Sequence, residues 1–135
     1  MILLDTSALR AALRRQGRTR GDQIGSALQW PLNTGQKVSV PGFVVQELLS
    51  GVREEAQFQR MKTILTNALS VITASIGDHL LATDVTNRCR RKGITASPGD
   101  ALIAAHAIVR RETSFSADHD FKDIAVATTL KLLEP

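Results

Sequence analysis

Four acidic residues stand where carboxylates can do chemistry. Asp5 follows the apolar run Ile2, Leu3, Leu4. Glu47 lies within GFVVQELLSGV, Asp100 within SPGDALIAAHAIVRRE, and Asp118 follows TSFS with Asp120 close behind. Each has a purely structural explanation. Asp5, Thr6 or Ser7 can cap a helix, and Glu47 can be solvated at the edge of an apolar stripe. Ser97 with Asp100 spells an S-x-x-D capping box, and Asp118 and Asp120 suit a turn. Taken together they ask for more. Carboxylates on one rim repel unless a cation sits among them. Oxygen ligands of this kind suit Mg²⁺ or Mn²⁺, which take carboxylates, waters and substrate phosphates. Two such ions can activate a water and steady the leaving oxygen of a phosphodiester.

The elements that must carry these residues alternate. Strands are expected at the N-terminal apolar run, at KVSV, SVIT and TSFS, and in the final LKLLEP. Helical spacing appears in DTSALRAALRR, DQIGSALQW, GFVVQELLSGV, EEAQFQRMKTILTNAL, GDHLLATDVTNRCRRKG and SPGDALIAAHAIVRRE, while ADHDFKDIA reads as a loop. In GDHLLATDVTNRCRRKG, Leu80, Leu81, Val85 and Cys89 are expected to face inward. Such alternation indicates an α/β domain, with helices flanking a central, mostly parallel sheet. Ligands in such domains bind outside the carboxyl ends of the strands. Asp5, Ser116 and Asp118 fall at those ends.

With 135 residues the chain reads as one domain, 1–135, and 43% hydrophobic with 22% charged residues is ordinary for a globular protein. Only 4% is aromatic and Tyr is absent, so Leu, Ile, Val and Ala must build the core. Cys89 is the sole cysteine, which excludes an intrachain disulfide and a thiolate zinc site. No apolar run is long enough to cross a bilayer and no basic-then-apolar leader opens the chain, so a cytoplasmic location without membrane contact is expected. The net charge of +4 hints at an anionic partner. Arg14, Arg15, Arg18 and Arg20, beside Arg10, crowd one segment, and Arg88, Arg90, Arg91 and Lys92 another. His119 lacks a ligand-spaced partner in His79 or His106 and reads as a partly exposed loop residue; His106 reads as a satisfied, semi-buried histidine, and Cys89 as core.

The blocks LLDTSAL, VPGFVVQELLSGV, ITASPGDALIAAHAI and FSADHDF, in this order, resemble the four blocks of the PIN domain, and more narrowly VapC-type toxins of type II toxin–antitoxin pairs. The resemblance covers nearly the whole chain. It implies a metal-dependent endoribonuclease using Mg²⁺ or Mn²⁺, with Asp5, Glu47, Asp100 and Asp118 as metal-binding acids and Asp120 as a frequent extra one. Thr6, Ser7 and Ser116 match small hydroxyl residues near that site. RNA as substrate, a cognate antitoxin protein and a homodimer are implied with it. In that reading Arg14, Arg15, Arg18 and Arg20 guide the phosphate backbone. Arg10, Gly99 and His119 depart from the usual pattern without removing an acid. Three other readings compete. A signalling receiver would want an acidic pair after the first strand and a carboxylate in SVIT, and neither is present. A PIN-fold module that has lost catalysis should not keep all four acids. A PIN-fold RNA-binding or RNA-processing protein that is no toxin would keep them.

Overall fold

The computed structural model describes residues 2–12, 38–115 and 119–132. Within them the order is β1 (Ile2–Leu4), α1 (Thr6–Ala12), β2 (Val38–Pro41), α2 (Gly42–Ser50), α3 (Glu55–Ala68), β3 (Ser70–Ile72), α4 (Ile76–Arg91), α5 (Pro98–Arg110), β4 (Thr113–Phe115), α6 (Asp120–Ala127) and β5 (Lys131–Leu132). The strands form one sheet in the order β3-β2-β1-β4-β5, and every pairing is parallel.

A strand paired on both sides and covered on both faces reads as an unbroken apolar run. β1 fits that description. Ile2 pairs with Val38 and Thr113, Leu3 with Ser39 and Ser114, and all three residues of β1 are buried. Truncating Leu3 or Leu4 to Ala removes a packed side chain from the middle of the sheet, at a cost of about 2–5 kcal/mol. Sheet order reverses at β1, whose neighbours belong to the two halves of the chain. The crevice at such a switch point opens beyond the carboxyl ends of the strands.

Polar groups inside the sheet are handled locally. The buried Ser39 hydroxyl donates to Glu112 Oε2 at 3.0 Å, and the Glu112 backbone N–H donates to the Ala107 carbonyl at 2.8 Å. That carboxylate lies just before β4, away from the carboxyl edge. Two helices end in different ways. Gly93, with φ 74°, follows α4 in the left-handed conformation that glycine adopts without strain. α5 ends on Arg111 at φ 54°, a side chain in a position glycine usually takes.

Two expectations need correction. ADHDFKDIA is not all loop: Asp120–Ala127 is helical, and Phe121 and Ile124, three residues apart, bury one face of it. The flanking acids and Lys122 hide that spacing in so short a segment. Leu80 does not face inward; it is 64% exposed, and Ala82 takes the inward place beside Val85 and Cys89. The stretch DQIGSALQW and Arg14, Arg15, Arg18 and Arg20 lie outside the described residues. Among those described, no helix is long and apolar enough to cross a membrane.

Candidate functional site

Asp5 is the first residue beyond β1 and is only 4% exposed. Two donors from the next turn hold its carboxylate. The Ser7 hydroxyl lies 2.9 Å from Oδ1 and 2.8 Å from Oδ2, and the Ala8 backbone N–H donates to Oδ1 at 2.8 Å. The Asp5 carbonyl accepts from Leu9 N–H at 3.1 Å, so the residue also starts α1. Capping and a fixed orientation therefore coexist at this position. A single carboxylate caps the helix and is held in one orientation at the carboxyl end of the central strand. Ser7 is the hydroxyl that orients it. Thr6, partly buried, is the first residue of the helix.

Asp100 reaches the same edge by another route. Ser97 caps α5, its hydroxyl accepting the Asp100 N–H at 3.1 Å, and Pro98 fills the first helical position. The turn is pinned by Phe43, the second residue of α2, directly beyond β2. A Cβ added to Gly99 would lie 2.7 Å from Phe43 Cζ. The Phe43 ring thus occupies the room a larger residue at 99 would need, so a side chain there must displace the ring. Through this contact the first turn of α5, and Asp100 with it, lies at the carboxyl edge.

The remaining acids are more open. Glu47 is exposed on α2, whose buried side holds Val44 and Leu48. Asp120 is the exposed first residue of α6, and His119, exposed, precedes it. Asp118 and Ser116 lie outside the described residues. Among the described residues, no three of the His, Cys, Asp and Glu side chains gather as a metal-holding group. The donors present at the edge are nonetheless of the right chemistry for a hard cation: carboxylate oxygens, one of them buried and pre-oriented, with no thiolate nearby. The Cys89 thiol is buried in the core, where burial, with Asp123 adding to it, pushes its pKa up.

A second polar cluster went unnoticed in the sequence. Asp78 at the start of α4 closes a complete capping box, its Oδ2 accepting Ser75 N–H at 2.9 Å while Ser75 Oγ accepts Asp78 N–H at 3.1 Å. Arg110 from α5 reaches both of its oxygens at 3.5 Å. Burial acts to raise the Asp78 pKa, but the Ser75 backbone, Arg110 and the Ser75 hydroxyl outweigh it and hold the carboxyl below its usual value. His106 is fully buried beside them. Burial pushes its pKa down; Asp78 opposes this, and Arg110 and His79 add to the depression. Arg110 Nη1 lies 2.9 Å from His106 Nδ1, and a guanidinium can only donate. Against that donor Nδ1 is placed to accept, with Asp78 Oδ2 also 3.6 Å from it, and Nε2 has no partner among the described residues. The S-x-x-D of Ser75 and Asp78 was the available signal, together with His106 and Arg110 at helical spacing.

The family model of the PIN domain matches residues 2–127. No curated protein matches the chain. Among solved structures, the VapBC2 complex from Rickettsia felis, bound to a DNA fragment from its promoter, contains a chain similar at TM-score 0.79 and 22% identity, covering 98% of both chains. FitAcB from Neisseria gonorrhoeae matches at TM-score 0.78 and 18% identity, over 100% of this chain and 98% of that one. A toxin–antitoxin complex from Klebsiella pneumoniae matches at TM-score 0.70 and 20% identity, over 90% of each. At these identities the likeness is one of fold.

Proposed function

This chain belongs to the PIN domain family, and we propose that it is a metal-dependent endoribonuclease acting as the toxin of a toxin–antitoxin pair. The observation that carries the reading is Asp5: a buried carboxylate, oriented by Ser7 and Ala8, at the carboxyl end of the central strand. In the proposed site Asp5, Glu47, Asp100 and Asp118 hold Mg²⁺ or Mn²⁺, with Asp120 in reserve. Bound there, the metal would supply an activated water and charge for the leaving oxygen of an RNA phosphodiester. The protein's own part is positional. Ser7 keeps both Asp5 oxygens directed, Thr6 and Ser116 add small hydroxyls, and Ser97 and Phe43 hold the turn that carries Asp100. Arg14, Arg15, Arg18 and Arg20 are proposed to draw in the phosphate backbone.

Under the same proposal a cognate antitoxin silences the enzyme, as fits a fold shared with chains from VapBC and FitAcB complexes, and the working unit is a cytoplasmic homodimer. The test is RNA cleavage by the purified protein with Mg²⁺ or Mn²⁺ and with EDTA. Cleavage that requires the metal supports the mechanism, and cleavage unchanged in EDTA overturns it. RNA binding without turnover would favour the second reading, a PIN-fold RNA-binding or RNA-processing protein that is no toxin.

A further inference from the structure

A groove of about 640 Å³ runs between α4 and the first turn of α5. One wall is α4, with Thr83, Thr86, Asn87 and Arg90 around Ala82; the other, apolar, is the Pro98–Gly99 turn that leads into Asp100, with Leu102, and most of the lining is apolar. Phe43 stands at the end of this groove and also lines a smaller cavity of about 220 Å³ beside β2 and β3. The ring meets Gly99 with its far edge, Cζ, Cε2 and Cε1 lying 2.7, 3.2 and 3.6 Å from where a Cβ would be. The ring is partly buried and packs on the core, and what it leaves uncovered lines both cavities.

The second basic cluster of the sequence ends α4 at this groove, and its members are not equivalent. Arg88 is paired with Asp84 at 3.0 Å, and Lys92 Nζ reaches the Val126 carbonyl at 3.4 Å. Arg90, exposed and touching Asn87 Oδ1 at 3.3 Å, is the one that lines the groove. An aromatic ring, apolar surface, a few hydrogen-bonding side chains and a cation in one open channel suit single-stranded nucleic acid: stacking that tolerates any base, and charge that follows the backbone. The channel begins one residue from Asp100.

We propose that this groove is the track of the single-stranded RNA next to the scissile bond, with a base stacked on Phe43 and a phosphate at Arg90. The proposal rests on the ribonuclease reading and assigns the substrate's path within it.

The test uses Asp5→Asn as a background in which RNA stays intact, and measures binding of a labelled single-stranded RNA at several salt concentrations. Arg90→Gln should lower the log–log salt slope by about 0.7, as loss of one phosphate contact does on a single strand. Phe43→Leu should weaken binding about fivefold or more while leaving the slope unchanged. Thr83→Glu places a negative charge at an exposed helical position, where folding is not at stake, and should weaken binding most at low salt. Unchanged affinity and slope in Arg90→Gln and Thr83→Glu, with the background protein still binding RNA, would overturn the groove alone. A change in sedimentation without a change in RNA affinity would also overturn it, assigning the face beside exposed Ile76 and Leu80 to a protein contact. Absence of RNA binding in the background, with no cleavage by the parent protein, would overturn the ribonuclease reading and the groove together.

Discussion

Asp5 and Asp78 are equally buried, each 4% exposed, and each helps begin a helix. Their surroundings send them in different directions. Asp78 closes a reciprocal box with Ser75 and faces Arg110 across a helix pair, an arrangement that joins α4 to α5. Asp5 takes a hydroxyl and an amide from its own next turn and stands at the edge where the sheet order reverses. Asp78 bridges two helices and serves the fold. Asp5 stands at the end of the central strand, where the proposed site would face its ligand. Burial alone does not separate the two; their places in the fold do.

The largest expected effect divides the pair. Asp5→Asn keeps a capping side chain but loses the charge, and cleavage should fall by more than about 100-fold, beyond what losing an outer partner of a metal ligand costs. Asp78→Asn should leave the rate per folded molecule nearly unchanged. Turnover normalised to folded protein by circular dichroism checks both, and equal losses in the two variants would dissolve the distinction.

Arg110→Ala should come next, destabilising the fold by about 1–3 kcal/mol, because it leaves Asp78 without its charged donor and strips Nδ1 of His106. Urea unfolding measures it. A similar penalty, about 1–3 kcal/mol, is expected for Gly99→Ala, whose methyl group meets the Phe43 ring. Combining it with Phe43→Leu should recover much of that loss. A double-mutant cycle without such coupling would deny that the ring holds the Asp100 turn.

Acidity tests the Asp78 cluster at smaller scale. His106 has a pKa below its ordinary 6.5 in the folded protein, so between the two values the unfolded chain binds more protons. Stability therefore rises with pH through this window and is lost as pH falls below about 6.5. Asp78 acts in the same direction lower down, its contribution present above 3.8 and lost as pH falls further. Melting temperature measured from pH 7 to pH 5 should decline in the parent and decline less in His106→Gln. Parallel curves would remove His106 from the account.

The sequence made the strands and Asp5 legible because β1 is paired on both sides, and a fully buried parallel strand must be apolar until it ends. Asp100 was legible for a related reason: Ser97 and Pro98 mark a helix start in any context. The α6 helix was missed because two buried residues, Phe121 and Ile124, are too few to show a period against four charged or polar neighbours. Leu80 misled because a leucine at helical spacing reads as core until the packing partner proves to be Ala82. The Asp78, His106 and Arg110 cluster joins positions far apart in the chain, and only the α4–α5 contact reveals it. Gly99 read only as a departure from the pattern; its contact with Phe43, on a different helix, is visible only in the fold.

The position of β1 in the sheet has a consequence for the time at which activity can arise. Leu3 pairs with Ser39 on one side and Ser114 on the other, so the central strand is translated long before its second neighbour. Contacts of such sequence separation form late in folding. A ribosome-bound chain carries Asp5 before either neighbouring strand exists, and cannot set it between both until β4 has been made. On the proposed ribonuclease reading, a chain that has not yet reached β4 is inactive, and an inhibitor has its target only once β4 is in place.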